Sequence, residues 1–294
     1  MLQLLTAHPA LFVTAAVVLA MLVGSFLNVV IHRLPIMMER DWREQCAELA
    51  ASEGPRVPEG RFDLVMPRSR CPACGAAITA LQNIPIVSYL WLRGRCASCH
   101  APISLRYPVI EALTAVLSGI VAWHFGSSWE TAAALLFTWT LLAVTFIDLD
   151  HQIIPDSLSL PLLWGGLALS LFHPRAGAEV LFIAPSTAII GAVAGYLSLW
   201  SVYHLFRLVT GKEGMGYGDF KLLAALGAWL GWQQLPMIII LSALVGAVTG
   251  IALILLQGRD RNVPMPFGPF LAAAGWLAML FGTEIRAWWF ANFI

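Results

Sequence analysis

Charge is what this sequence has least of. Only 12% of its 294 residues are Asp, Glu, Lys or Arg, against about a quarter in soluble domains. Hydrophobic residues make up 59% and the mean hydropathy is +0.77. That excludes an ordinary soluble globule and, with 12 Trp, a disordered chain. There is no surplus of either sign: 17 basic residues face 17 acidic ones, for a formal net charge of zero. No bulk positive field exists to hold phosphates, so nucleic acid is excluded as a partner. No basic residue precedes the first apolar run, the first being Arg33. A cleaved secretory leader would carry one there, so the run is expected to be a retained span with its N-terminus outside. Also lacking are an internal repeat and a glycine-rich strand-turn-helix fingerprint for a nucleotide-like cofactor.

What is abundant is long apolar runs. Eight approach the ~20 residues a helix needs to cross a bilayer: about 10–31, 107–125, 130–148, 157–173, 181–206, 219–232, 235–256 and 266–283. The sixth is short and interrupted by Gly227 and Gly231, which makes its separation from the seventh the least secure boundary. Only helices can satisfy the backbone in lipid without sheet closure, so the expected fold is an all-α polytopic membrane protein of about eight transmembrane helices. Half of the charges, ten Arg and seven acids, fall in residues 33–106. With the N-terminus outside, the inside segments are 32–106, 149–156, 207–218 and 257–265. Together with Lys221 they hold 15 of the 17 basic residues, leaving Arg175 and Arg286 outside. The expected division is a first span over 1–31, an inside loop domain over 32–106, and a seven-helix membrane domain over 107–294.

Cysteine is scarce but patterned. Cys71-Pro72-Ala73-Cys74 and Cys96-Ala97-Ser98-Cys99 form a CxxC pair of turns with 21 residues between them. Each turn offers two thiolates, and two turns brought together make a closed tetrahedral site for structural zinc. Such a metal would staple a loop domain too small for its own core. The competing reading is a redox CxxC. His100 adjoins the last cysteine and reads as a substitute ligand or a polar surface residue; Cys46 reads as a plain thiol.

Acidic residues in spans are costly and usually functional. Glu111 lies one turn into the second run, Asp148 and Asp150 end the third, and Asp219 opens the sixth in Gly216-Tyr217-Gly218-Asp219. The assigned topology brings the last two groups to the membrane from one face, so carboxylates 71 positions apart can converge. Two adjacent carboxylates share a proton: one takes a proton from water while the other donates to the carbonyl under attack. Bland readings stand beside this one. Asp156 or Ser157 fits a helix N-cap, Asp150 a solvated span end, Glu111 a partner of Arg106, and Asp148 and Asp219 caps or ion pairs.

At this point the sequence resembles the bacterial type IV prepilin peptidases, bifunctional leader peptidase/N-methyltransferases of pilus and type II secretion systems. The resemblance runs nearly end to end. It rests on Gly24-Ser25-Phe26-Leu27-Asn28 through His32-Arg33-Leu34-Pro35, on Pro67-Arg68-Ser69-Arg70 before the first CxxC, and on Asn83-Ile84-Pro85-Ile86-Val87-Ser88-Tyr89-Leu90. It continues through Arg93-Gly94-Arg95-Cys96, Ile103-Ser104-Leu105-Arg106-Tyr107-Pro108, the Asp-x-Asp…Ile-Pro-Asp segment and Gly-x-Gly-Asp-Phe-Lys. The resemblance implies an inner-membrane aspartic endopeptidase whose active site faces the cytoplasm and whose substrates are prepilins or pseudopilins. The family's catalytic aspartates correspond to Asp148 and Asp219. Asp148 rather than Asp150 fits because Ile154 follows it by six positions. The resemblance also implies methylation of the new N-terminal amine from S-adenosylmethionine, with Glu39, Gly94 and Arg95 as participants; a zinc-turn glycine is the alternative reading of Gly94. Two rival readings are a proton-coupled transporter or scaffold using the same acids as a relay, and a peptidase without the transferase.

Overall fold

A computed structural model describes residues 8–49, 61–173, 183–257 and 265–293. Residues 50–60 of the expected inside loop, with Arg56, and Arg175, Arg259 and Arg261 of the charge pattern lie outside the described residues. Among the described residues the chain is helical: α1 (Pro9–Leu49), a short α2 (Val87–Trp91), α3 (Arg106–Phe125), α4 (Trp129–His151), α5 (Asp156–Ser170), α6 (Pro185–Thr210), α7 (Tyr217–Leu230), α8 (Leu235–Gln257) and α9 (Gly268–Phe293). Eight of these correspond to the eight apolar runs. Six are long and apolar enough to cross a membrane by length and composition, while α5 and α7 have only 15 and 14 residues. The chain is a multi-pass membrane protein.

Several boundaries differ from expectation. α1 does not stop at residue 31 but continues to Leu49, through Pro35. The stretch beyond Arg33 is rich in Glu, Arg, Met and Ala, which favour helix, and Glu39 and Arg43 pair one turn apart at 2.5 Å. At 41 residues α1 is roughly 60 Å long, about twice the hydrocarbon thickness, so much of its second half lies beyond lipid. The expected N-cap at Asp156 or Ser157 is instead Pro155, with no side-chain cap bond. Asp156 occupies the first turn and turns its carboxylate to Lys221, whose Nζ lies 2.7 Å from each oxygen. The sixth and seventh runs are separate helices, divided at Gly231, whose φ of +85° only glycine adopts freely.

The chain divides into two compact units, Met1–Ser127 and Ser128–Ile294. In the first, α1 and α3 run antiparallel. A Cβ on Gly24 would stand 2.8 Å from Glu111 Cα, and one on Gly119 would stand 2.9 Å from Val17. Asn28 Nδ2 donates to the Tyr107 carbonyl at 3.2 Å. Small residues permit this approach where lipid supplies no hydrophobic drive between helices. Arg33 is buried at the loop's base and donates to the Asp63 and Pro67 carbonyls at 2.8 and 2.6 Å. Asp63 in turn accepts from the Met66 and Val65 amides and from Arg61, which hold its carboxyl down at about 2.

The second unit is built round α7. Eleven of its 14 residues are buried, so its neighbours rather than lipid surround it and its shortness, about 21 Å, is tolerated. α6 lies on one side at backbone contact: a Cβ on Gly191 would fall 2.1 Å from the Gly227 carbonyl oxygen. α5 lies on another, where Trp229 Nε1 donates to the Leu162 carbonyl at 2.6 Å. Phe137 of α4 stacks obliquely on Trp229, and Trp276 of α9 donates to Thr138 of α4 at 3.1 Å.

Candidate active site and metal centre

Asp148 sits in the last turn of α4 and is 4% exposed; Asp150, two residues on, is exposed. The helix ends because Gln152 takes the left-handed conformation and returns its N–H to the Asp148 carbonyl at 2.9 Å. The chain then runs through Ile153-Ile154-Pro155 into α5. Asp219 lies in the first turn of α7 and is 7% exposed, its N–H bonded to the Gly216 carbonyl at 3.2 Å.

Ile154 ties these ends together. A Cβ on Gly218 would stand 2.8 Å from Ile154 Cβ, and one on Gly268, at the start of α9, would stand 3.0 Å from Ile154 Cδ1 and 2.6 Å from Asp148 Oδ2. Gly268 donates its N–H to that same oxygen at 2.9 Å. The end of α4 and the starts of α5, α7 and α9 therefore meet at one end of the second unit. Parts of the three inside segments expected for this unit, 149–156, 207–218 and 257–265, adjoin that end. Asp148 and Asp219 are both buried at that end, Asp148 against Gly268 and Asp219 next to Gly218, which packs on Ile154. Gly216 leaves the space beside Asp219 open, a Cβ there lying 4.0 Å from Oδ2. Buried carboxylates converging beside a glycine turn can hold one proton between them and let an extended backbone come close. Gly268 was not singled out in the sequence. Its signal was only the Pro266-Phe267-Gly268-Pro269 turn ahead of the last apolar run.

The four patterned cysteines also come together. Their sulfurs all lie within 4.8 Å of one another, with Cys71 and Cys99 Sγ at 3.8 Å. Zinc–thiolate bonds of about 2.3 Å give tetrahedral S···S edges of roughly 3.8 Å, so the set fits a metal ion of that kind. The two turns are copies. Cys71 and Cys96 each bond by N–H to the carbonyl five residues on, and Gly75 and His100 occupy the same left-handed position in the two copies. Arg70 bridges Ala77, and Arg95 bridges Pro102, at the same seven-residue separation. The amides of Cys99 and Ser98 face Cys96 and hold its thiol down at about 6. His100 is exposed and occupies a turn position beside the four thiols.

A cavity of about 610 Å³ lies between this loop and α1 and α3, within the first unit. Glu111 opens into it. This carboxylate, 8% exposed, accepts from the Ile86 N–H at 2.8 Å and from the Ser25 hydroxyl, and no cation pairs with it among the described residues. Of the three residues the resemblance connected with the methyl donor, none lines the cavity. Glu39 pairs with Arg43 on α1. Gly94 (φ +68°) lies against the Tyr89 ring, and Arg95 starts the second cysteine turn.

Together these features define a class: a polytopic helical membrane protein with a buried aspartate pair at one end of a helix bundle and a four-thiol centre in a separate unit. The model of the bacterial peptidase A24 N-terminal domain matches residues 18–125, and that of the type IV leader peptidase family matches residues 135–251. The chain is 55% identical over 294 residues to the prepilin leader peptidase/N-methyltransferase of Aeromonas hydrophila, covering 100% of this chain and 99% of that protein. It is 57% identical over 286 residues to the protein of that name from Stutzerimonas stutzeri (97% and 96% covered), and 55% over 285 residues to that of Pseudomonas aeruginosa (97% and 96%). No solved structure matches the chain. The chain belongs to the type IV leader peptidase family.

Proposed function

We propose that this chain is a bacterial inner-membrane enzyme that cuts the leader from type IV prepilins and pseudopilins at the cytoplasmic face and then N-methylates the new N-terminal residue. The relatives' shared name and their end-to-end coverage support both activities. The observation that supports the peptidase half is that two buried aspartates, Asp148 and Asp219, stand at the same end of the second unit although 71 positions apart.

The proposed chemistry needs only those side chains and water. One aspartate, ionised, takes a proton from a water, and the oxygen attacks the scissile carbonyl carbon. The other, protonated, gives its proton to the carbonyl oxygen as the tetrahedral intermediate forms. Gly268 fixes the orientation of Asp148 through its N–H. Gly216 leaves room for the substrate backbone, while the space beside Gly218 is taken by Ile154. The side chain of Asp156, bound to Lys221, ties α5 to α7 beside the site.

Zinc is the metal proposed for Cys71, Cys74, Cys96 and Cys99, in a structural role, since four thiolates leave no open position for catalysis. S-adenosylmethionine is the proposed methyl donor, supplying an electrophilic methyl group on a cationic sulfur. Of Glu39, Gly94 and Arg95, the residues the resemblance connects with its site, Gly94 is the one proposed to act there, by seating Tyr89. The test is prepilin cleavage by Asp148→Asn, Asp219→Asn and Asp150→Asn variants in membranes. The first two are expected to lose cleavage by about three orders of magnitude or more, and Asp150→Asn to retain it. Near-normal cleavage by either of the first two overturns the assignment.

A further inference from the structure

The first unit holds a group that peptide hydrolysis does not use. Glu111 is a carboxylate nine-tenths buried in the lining of a cavity of about 610 Å³. It is held by neutral donors, the Ile86 N–H and the Ser25 hydroxyl, and no cation pairs with it among the described residues. An unpaired acid in an apolar surrounding is expensive, and a ligand carrying positive charge relieves that cost. The backbone around it is committed to the arrangement: Ile86, the donor, sits at a positive φ of 59°, a conformation strained for a β-branched residue. The other walls fit a flat, polar small molecule that carries a carboxylate as well as a positive charge. Tyr89 and Tyr107 are aromatic, Gln82 is an amide, and Arg33, Arg68 and Arg70 supply positive charge for the carboxylate. The volume lies within the roughly 300–1,000 Å³ of small-molecule pockets. Tyr89 is itself set in place, its hydroxyl on the Ile103 carbonyl at 3.4 Å and Gly94 directly behind it, where a Cβ would stand 2.8 Å from the phenol oxygen.

We propose that this cavity is the methyl-donor pocket and that the Glu111 carboxylate is the anion facing the donor's positive charge. The assignment rests on the N-methyltransferase reading above and gives it a location. It also gives Gly94 a part: it has no side chain because Tyr89, a wall of the pocket, occupies that space.

The test is calorimetric titration of the full chain in detergent with S-adenosylmethionine and with S-adenosylhomocysteine, whose sulfur is neutral. Glu111→Gln is expected to weaken the cationic ligand by about tenfold or more and the neutral one by less than about threefold. Wild-type affinity for both, or equal weakening of both, overturns the role of Glu111. Asn83→Trp, which places an indole at the exposed rim, is expected to weaken both ligands by about tenfold or more; unchanged binding overturns the cavity assignment. Metal content and elution profile establish that each variant is folded. If the wild-type chain binds neither ligand and leaves its product amine unmethylated by mass spectrometry, the methyltransferase reading itself falls. That outcome is distinct from normal methylation with an indifferent Glu111.

Discussion

Gly268 carries a hydrogen where a side chain would collide with the Asp148 carboxylate, and its N–H holds that carboxylate in place. Gly268→Ala is therefore expected to lower prepilin cleavage by about a hundredfold, the cost typical of an ångström-scale misplacement of a reacting group. Unchanged cleavage rates would show that Asp148 does not depend on that contact. The cysteine turns give a second residue-scale test. His100 occupies the left-handed position that Gly75 occupies in the other copy. His100→Gly is expected to keep the full metal content and to raise stability by up to about 1 kcal/mol, read as melting temperature. Loss of metal in that variant would make His100 a ligand. At this scale the acids and the cysteines were legible in the sequence, because an ionisable group in an apolar run and a repeated CxxC are rare without a cause. Asp148 is buried and Asp150 exposed, so the two acids of this segment differ in surroundings. Gly268 was not legible: its partner is 120 positions away, and a glycine before a proline reads as any turn.

Helices meet here through glycine. α6 and α7 touch along Gly191 and Gly195, where any Cβ would fall within 2.1 and 2.6 Å of backbone oxygens on α7. Gly191→Leu is expected to separate the two helices and cost about 3 kcal/mol or more, seen as lost yield and a lowered melting temperature after detergent extraction. Normal yield and melting would mean that the contact is not needed. Cys96→Ser is expected to drop bound metal from about one equivalent and to open residues 61–105 to protease, since this loop has little apolar core of its own. Retained metal would contradict the four-thiol centre. Span positions were readable because apolar runs and bilayer thickness leave helices few places to begin and end. The extension of α1 to Leu49 was not, because polar helix formers after a span look the same in a loop. That α7 is central and lipid-shielded was equally hidden, as length and hydropathy do not tell which helix the others surround.

At the scale of the whole molecule, the proposal that the aspartate end of the second unit faces the cytoplasm has its own test. A membrane-impermeant thiol reagent added from the periplasm is expected to label Trp129→Cys, at the opposite end of α4, and to leave Glu213→Cys no more labelled than the unaltered chain. The reverse pattern would invert the topology. The transporter reading loses ground at this scale. Asp148 and Asp219 stand at helix ends rather than helix centres, and relatives that this chain matches from end to end carry an enzyme's name. The central claim is that Asp148 and Asp219 act as one catalytic unit. Its most direct test is the rate of prepilin cleavage by the Asp148→Asn/Asp219→Asn double variant beside each single variant. The expected result is a double variant no slower than the worse single one, because either loss alone removes the shared proton machinery. Losses that multiply, or a single variant that still cleaves at a near-normal rate, would contradict it.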